Sequence, residues 1–168
     1  GGGFPELVAP ELSSNNKMME SIKKFIEANK PVYAECGGLM YLAKSIKTNK
    51  QTFNMVGAIN ARVAMNNKPI GRGHVELIRR SSHPWLKTNE IINAHEFHYS
   101  DISFNSKRNE FIYQVNRGYG INGKYDGIKY KNLLATYSHL RDTKKNNWVE
   151  NYLKFIKNIK DNETKNNI

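Results

Sequence analysis

The sequence predicts an α/β domain, with helices packed on a doubly wound sheet, on the strength of three observations. A helix-spaced segment (Met18, Ile22, Phe25, Ile26) is stopped by Pro31 and followed at once by a short apolar strand, Val32-Tyr33-Ala34. That strand runs into a tight turn at Cys36-Gly37-Gly38 and, with almost no loop, into a second apolar helix, Leu39-Met40-Tyr41-Leu42. Further on, several runs alternate in hydrophobicity and a last amphipathic segment closes the chain. A helix-strand-turn-helix unit is half of a doubly wound layer. Such sheets place their chemistry at the carboxyl ends of strands, where Cys36 lies.

The chain opens on Gly1-Gly2-Gly3-Phe4-Pro5-Glu6. Three glycines offer backbone N–H groups with no side chains in the way, the material of an anion- or oxyanion-binding loop; a flexible terminus has the same composition. Such a loop normally follows a strand, so a strand and helix are expected ahead of Gly1. The first helix is expected from Ser14 to Asn29, with Ser13 or Ser14 as N-cap. At the corner after Val32-Ala34 the side chain of Cys36 points out of the sheet, and the two glycines after it admit a second backbone or a substrate. The plainer reading of a lone cysteine is a small buried hydrophobe.

Residues 54 to 65 (Met55, Val56, Gly57, Ala58, Ile59, Ala61, Val63) read as a strand interrupted by glycine, and Arg72 to Ile78 as another in alternation, with a turn at Asn66-Asn67-Lys68-Pro69. Residues 81 to 89 read as loop, with His83-Pro84-Trp85 extended. The run from Ile91 to Ser103 contains His95-Glu96-Phe97-His98; on a strand, Glu96 and His98 share one face. Two ligands without a third make a weak metal site, so none is assigned. A polar face lining a pocket, the carboxylate paired with the imidazole, and a solvated sheet edge both remain open. Phe111, Tyr113 and Val115 alternate as a strand closed by Arg117-Gly118-Tyr119-Gly120, and residues 123 to 127 form a hairpin turn ahead of Ile128 and Tyr130. Leu133 to Leu140 is an apolar strand carrying His139 at its end. Trp148, Tyr152, Phe155, Ile156 and Ile159 make a helix to pack on the sheet, and from Asp161 onward the chain is polar and expected to fray.

At 168 residues, 39% hydrophobic and 24% charged, the chain has the size and balance of one globular domain. No apolar run approaches the roughly 20 residues of a membrane span, and no signal-peptide pattern opens the chain. With one cysteine it can form no internal disulfide, which fits a cytoplasmic protein. The net charge of +11 draws anionic partners. Nucleic acid is disfavoured, because the lysines are scattered and no RNA-binding or zinc-finger signature is present. A small, heavily carboxylated substrate or an acidic companion domain accounts for the charge, and so does a composition biased to Lys and Asn.

A thiol on an elbow (Cys36), a histidine at a later strand end (His139) and an upstream glycine loop (Gly2, Gly3, with Gly37) together supply a nucleophile, a general base and an oxyanion site. Acyl transfer through a thioester is the chemistry they suit, and a cysteine protease would use the same parts.

The blocks Gly1-Gly2-Gly3-Phe4-Pro5-Glu6-Leu7, Val32 to Leu42, His95 to Ser100 and Thr136 to Leu140 resemble the glutamine amidotransferase half of the cobyrinic acid a,c-diamide synthase family, in that family's order and from Gly1 to about Phe155. The resemblance implies a class I glutamine amidotransferase-like, flavodoxin-like sheet flanked by helices, spanning residues 1–160, with 161–168 as a polar tail. It implies that Cys36 attacks the side-chain amide of glutamine and that ammonia passes to an N-terminal synthetase domain. That domain uses ATP and Mg²⁺ to activate the a and c carboxylates of a corrinoid in cobalamin biosynthesis. No Gly-x-x-x-x-Gly-Lys-Ser/Thr phosphate loop exists in the 168 residues, so no cofactor is assigned to this domain and the chain is expected to be part of a larger enzyme. Relatives that amidate nickel sirohydrochlorin fit the same pattern, as does a non-catalytic amidotransferase-like subunit. Class I amidotransferases commonly carry a glutamate two residues after the histidine, where this chain has Arg141; the cobyrinic-type branch lacks that glutamate. Asp142, Glu96 or a backbone carbonyl is left to orient His139.

Overall fold

The computed structural model describes residues 1–87, 91–105 and 109–166. Expectations for residues 88 and 89 of the loop and 167–168 of the tail lie outside these. The described part is built on two sheets. The larger has the order β1-β10-β9-β8-β5-β6-β11, from β1 (Val32–Glu35), β5 (Gly71–Arg79), β6 (Ile92–His98), β8 (Glu110–Arg117), β9 (Tyr125–Tyr130), β10 (Leu133–Thr136) and β11 (His139–Leu140). The smaller, β3-β2-β4-β7, comprises β2 (Ser45–Lys47), β3 (Thr52–Asn54), β4 (Ala61–Met65) and β7 (Ser100–Phe104).

The α/β class stands, but the large sheet is less parallel than a doubly wound pattern suggests: β1 runs parallel to β10 and its other pairs are antiparallel. Short loops explain this, since hairpin-length connections join antiparallel neighbours and a parallel pair needs a longer crossover.

A 3-10 turn (Pro5–Val8) and a short helix, α1 (Ala9–Ser14), precede the first long helix, α2 (Asn16–Glu27). The N-cap of α2 is Asn15, whose side-chain oxygen accepts from the Met18 N–H at 3.1 Å, rather than Ser13 or Ser14; the Ser14 hydroxyl instead donates to the Glu11 carbonyl of α1. The face of α2 that enters the core is Met19, Ile22 and Ile26, whereas Met18 and Phe25 are half exposed. Of the expected stripe, Ile22 and Ile26 stand, and Met19 takes the place of Met18.

Three expected strands differ: the first is shortened and the other two are each broken in two. Residues 55–60 are irregular between β3 and β4, because Met55, Val56, Gly57 and Ile59 hydrogen-bond back to residues 41–44 at the end of α3 (Gly37–Leu42) instead of to a neighbouring strand. The run from Ile91 changes sheets at Tyr99: β6 stays in the large sheet and β7 joins the small one. The apolar strand from Leu133 stops at Thr136, and His139 resumes as β11 against β6 after a turn at Tyr137-Ser138. His83-Pro84-Trp85 is not extended but part of a tight turn closed by a His83–Leu86 bridge, which buries Trp85 completely. The hairpin turn before β9 ends ahead of Tyr125, so Gly127 lies within the strand.

The core has two parts. Leu39, Met40, Leu42, Ile46, Val63 and Leu133 fill the first, beneath α3. Val75, Leu77, Trp85, Ile92, Ile112 and Leu134 fill the second, where helix α4 (Trp148–Asn166) lays down Trp148, Tyr152 and Phe155. The Tyr152 hydroxyl donates to the Pro31 carbonyl at 3.0 Å and so ties α4 to the entry of β1. The helix continues past Asp161 as far as Asn166. Among the described residues, no helix is long and apolar enough to cross a membrane.

Candidate active site

Cys36 occupies the corner between β1 and α3 with φ +44° and ψ −102°, a conformation that costs a non-glycine residue on the order of 1–3 kcal/mol and persists only where its surroundings hold it. Two bonds hold it: its N–H donates to the Thr136 carbonyl of β10 at 2.7 Å, and its own carbonyl accepts from Met40 at 3.0 Å. The side chain is 6% exposed, with Sγ 3.8 Å from the Phe97 carbonyl oxygen.

The opening glycine loop folds over this corner. A Cβ at Gly37 would stand 2.6 Å from the Gly3 carbonyl oxygen, and a Cβ at Gly2 2.6 Å from Cε1 of His139. No side chain fits at either position, because backbone approaches backbone at the first and the imidazole at the second. The Gly38 N–H also donates to the Gly1 carbonyl at 3.2 Å. Cys36, His139, Gly2, Gly3 and Gly37, drawn from three separate segments, thus converge on one place.

His139 hydrogen-bonds to Cys36 and lies with Nδ1 3.4 Å from Oε2 of Glu35. Its ring stacks on His95 across the β6–β11 pair at 4.7 Å. The contact with Cys36, then that with Glu35, raises the His139 pKa to about 9 against the opposing effect of burial. Burial pushes the Glu35 carboxyl up, but hydrogen bonds from His139, the Tyr33 hydroxyl and the Leu140 N–H hold it below its usual range. Burial, then the neighbouring His139 charge, lowers His95.

Glu35 is the site residue the sequence reading missed. Asp142 instead accepts from the Val149 N–H at 3.0 Å in the first turn of α4, and Glu96 is committed elsewhere. The signal was present in the strand period: Tyr33 and Glu35 share a face of β1, one residue before the elbow. Recognising it required knowing that β1 and β10 run parallel, with Glu35 opposite Thr136 and His139 just beyond.

Glu96 and His98 do share a face, and it is buried, which removes the solvated-edge reading. Glu96 accepts the N–H groups of Tyr119 and Gly120 at 2.6 and 2.7 Å, and its Oε2 lies 3.5 Å from His98 Nε2. His98 Nδ1 donates to the Ser100 carbonyl at 3.0 Å, and the ring stacks on Tyr137 at 3.9 Å. The fully buried Asp126 accepts from the N–H groups of Tyr137 and Ser138 at 3.1 and 2.9 Å. Burial raises its pKa despite those bonds. Asp126 thus braces the turn that precedes His139, whereas Glu96 ties the Tyr119-Gly120 turn to β6.

A small cavity of about 20 Å³ lies at Cys36, lined also by Gly3, Phe4, Glu6, Met40, Phe97, His98 and Tyr99. A larger groove, about 480 Å³, lies beside it between Leu7, Pro10, Phe53 and Met65. The smaller one is the one that Cys36 lines. Among the described residues, no group of three or more His, Cys, Asp or Glu is placed to hold a metal ion.

A model of the CobB/CobQ-like glutamine amidotransferase domain matches residues 1–147. Cobyrinate a,c-diamide synthases of Magnetococcus marinus and Methanosphaera stadtmanae are 39% and 42% identical over 140 residues, each match covering 83% of this chain and 30% of the relative. The chain thus spans about a third of the length of the curated relatives it matches. Among solved structures, PurLQS from Thermotoga maritima superimposes with a TM-score of 0.63 at 15% identity, covering 92% of this chain and 71% of that one. A protein described as a glutamine amidotransferase gives 0.61 at 14% identity, covering 92% and 76%. At such identities these two speak for the fold, which is that of class I glutamine amidotransferases.

Proposed function

The chain belongs to the CobB/CobQ-like glutamine amidotransferase family, and from that premise we propose that Cys36 is the nucleophile that releases ammonia from glutamine. The observation that carries the proposal is the strained Cys36 corner in contact with a histidine whose Nδ1 lies 3.4 Å from the Glu35 carboxylate. The thiol proton passes to His139, and the resulting imidazolium is stabilised by Glu35. The thiolate attacks Cδ of glutamine, and the C=O electron pair moves onto oxygen, where the N–H groups of Gly2, Gly3 and Gly37 are the candidate donors. His139 returns its proton to the departing amide nitrogen, the C–N bond breaks, and ammonia leaves a γ-glutamyl thioester on Cys36. Water, deprotonated by His139, cleaves the thioester to glutamate and free thiol. Glu35 takes no proton; it fixes the ring and favours its charged form, as the carboxylate of a hydrolase triad does.

In the whole protein the ammonia goes to an ATP- and Mg²⁺-dependent synthetase part, which amidates the a and c carboxylates of a corrinoid. The names of the curated relatives and the fraction of their length this chain spans support that reading. The net charge of +11 suits a partner or substrate rich in carboxylates.

The test is nitrogen-source dependence in the complete enzyme. Cys36→Ala should abolish amidation with glutamine and spare it with free ammonia. Equal loss with both sources would make Cys36 structural and refute the proposal.

A further inference from the structure

We infer that Glu6 is the recognition group for the α-ammonium of the amino acid whose side-chain amide Cys36 attacks, an inference that rests on reading Cys36 as the glutamine-cleaving nucleophile. Glu6 follows the glycine loop in the 3-10 turn Pro5–Val8 and lines the Cys36 cavity. Its Oε2 is shut off from solvent and accepts no hydrogen bond. A carboxylate oxygen stripped of water without a donor is costly, and such orphans call for a partner that the free protein lacks.

Nearby carboxylates are already engaged. Glu35 accepts from Tyr33 and pairs with His139; Glu96 accepts from Tyr119 and Gly120; Asp101 accepts from Asn66 at 3.1 Å. Among these carboxylates, Glu6 is the one with an oxygen that accepts no hydrogen bond, and it lines the Cys36 cavity. It also lines the adjoining groove, so it stands where the two spaces share a wall. A ligand with its amide carbon at Cys36 and its α-carbon directed toward the groove passes Glu6 with its ammonium end. A primary ammonium brings three donors and a full positive charge, which is the complement of a carboxylate oxygen that has no donor.

The test compares two alkylating agents on the thiol. 6-Diazo-5-oxo-norleucine carries the α-ammonium; 6-diazo-5-oxohexanoate is the same chain without it. The wild type should label at Cys36 roughly 10- to 100-fold faster with the first, the range for one hydrogen bond to a charged group. Glu6→Gln, close to isosteric, should label at nearly equal rates with both, and Glu6→Asp should keep part of the preference. Iodoacetamide, which has neither α-substituent, should modify Cys36 equally fast in wild type and Glu6→Gln. Retention of the full wild-type preference in Glu6→Gln overturns the inference, as does a parallel loss of iodoacetamide reactivity, which would mean that Glu6 shapes the cysteine. A wild type that no diazo compound labels, although iodoacetamide does, refutes the glutaminase reading itself.

Discussion

Two carboxylate–imidazole pairs lie on the large sheet at nearly the same separation, Glu35–His139 at 3.4 Å and Glu96–His98 at 3.5 Å. Their surroundings differ. The first pair is 18% and 23% exposed, and the ring's other contact is a thiol; the second is 1% exposed on both sides, and the carboxylate already holds two backbone N–H groups. An imidazole needs a reactive neighbour and solvent access to move protons, and His139 has a thiol beside it and is partly exposed. The buried pair, whose remaining bonds go to backbone, fixes the chain around it. On the proposed function, the same two side chains serve chemistry in one place and architecture in the other, and solvent access with the third neighbour distinguishes them.

The largest separation of the two should come from the histidine. His139→Ala should cut glutamine-dependent turnover by at least the 10²- to 10⁴-fold typical of a lost general base, with free ammonia still used by the complete enzyme. A normal glutaminase rate would remove His139 from the mechanism. Glu96→Ala should act on stability instead: removal of one partner from a buried pair costs about 3–5 kcal/mol, read from the shift in urea midpoint. A variant that unfolds at the wild-type midpoint but has lost activity would reverse the roles assigned to the two pairs.

Glu35→Gln should lower glutamine turnover by about 10- to 100-fold, the worth of a charge-assisted hydrogen bond, and bring the His139 titration down from about 9 toward 6.5. Imidazole proton shifts followed against pH measure the second effect directly; an unmoved titration would mean that Glu35 does not hold the ring. Because the folded value exceeds the unfolded one, His139 contributes stability that is fully present below about pH 6.5 and is lost as pH rises through about 9. The difference in unfolding free energy between wild type and His139→Gln should therefore shrink from pH 6 to pH 10. Tyr33→Phe should have the smallest effect, a loss of a few-fold, since it removes one of several donors to Glu35. A loss as deep as that of Glu35→Gln would place Tyr33 in the proton relay.

The elbow was legible because its determinants are adjacent: an apolar strand, a cysteine, two glycines and an apolar helix specify their own geometry. Glu96 and His98 sharing a face was legible for the same reason, as strand period fixes it within three residues. The split of the run from Ile91 at Tyr99 was not, because β7 pairs with β4 some forty positions upstream, and no local pattern reports which sheet a strand joins. Asn15 displaced the expected serine cap because the preceding residues had their own helix to end.

What the sequence determined by itself is a thiol presented at a sharp strand end, a histidine at a later one and the glycine loop that accompanies them, since each is a property of a few consecutive residues. Tertiary structure decided which carboxylate holds the histidine, which one is sealed away, and why Gly2 must lack a side chain. Those facts depend on strand register and on the close approach of segments about a hundred residues apart, which no local period encodes.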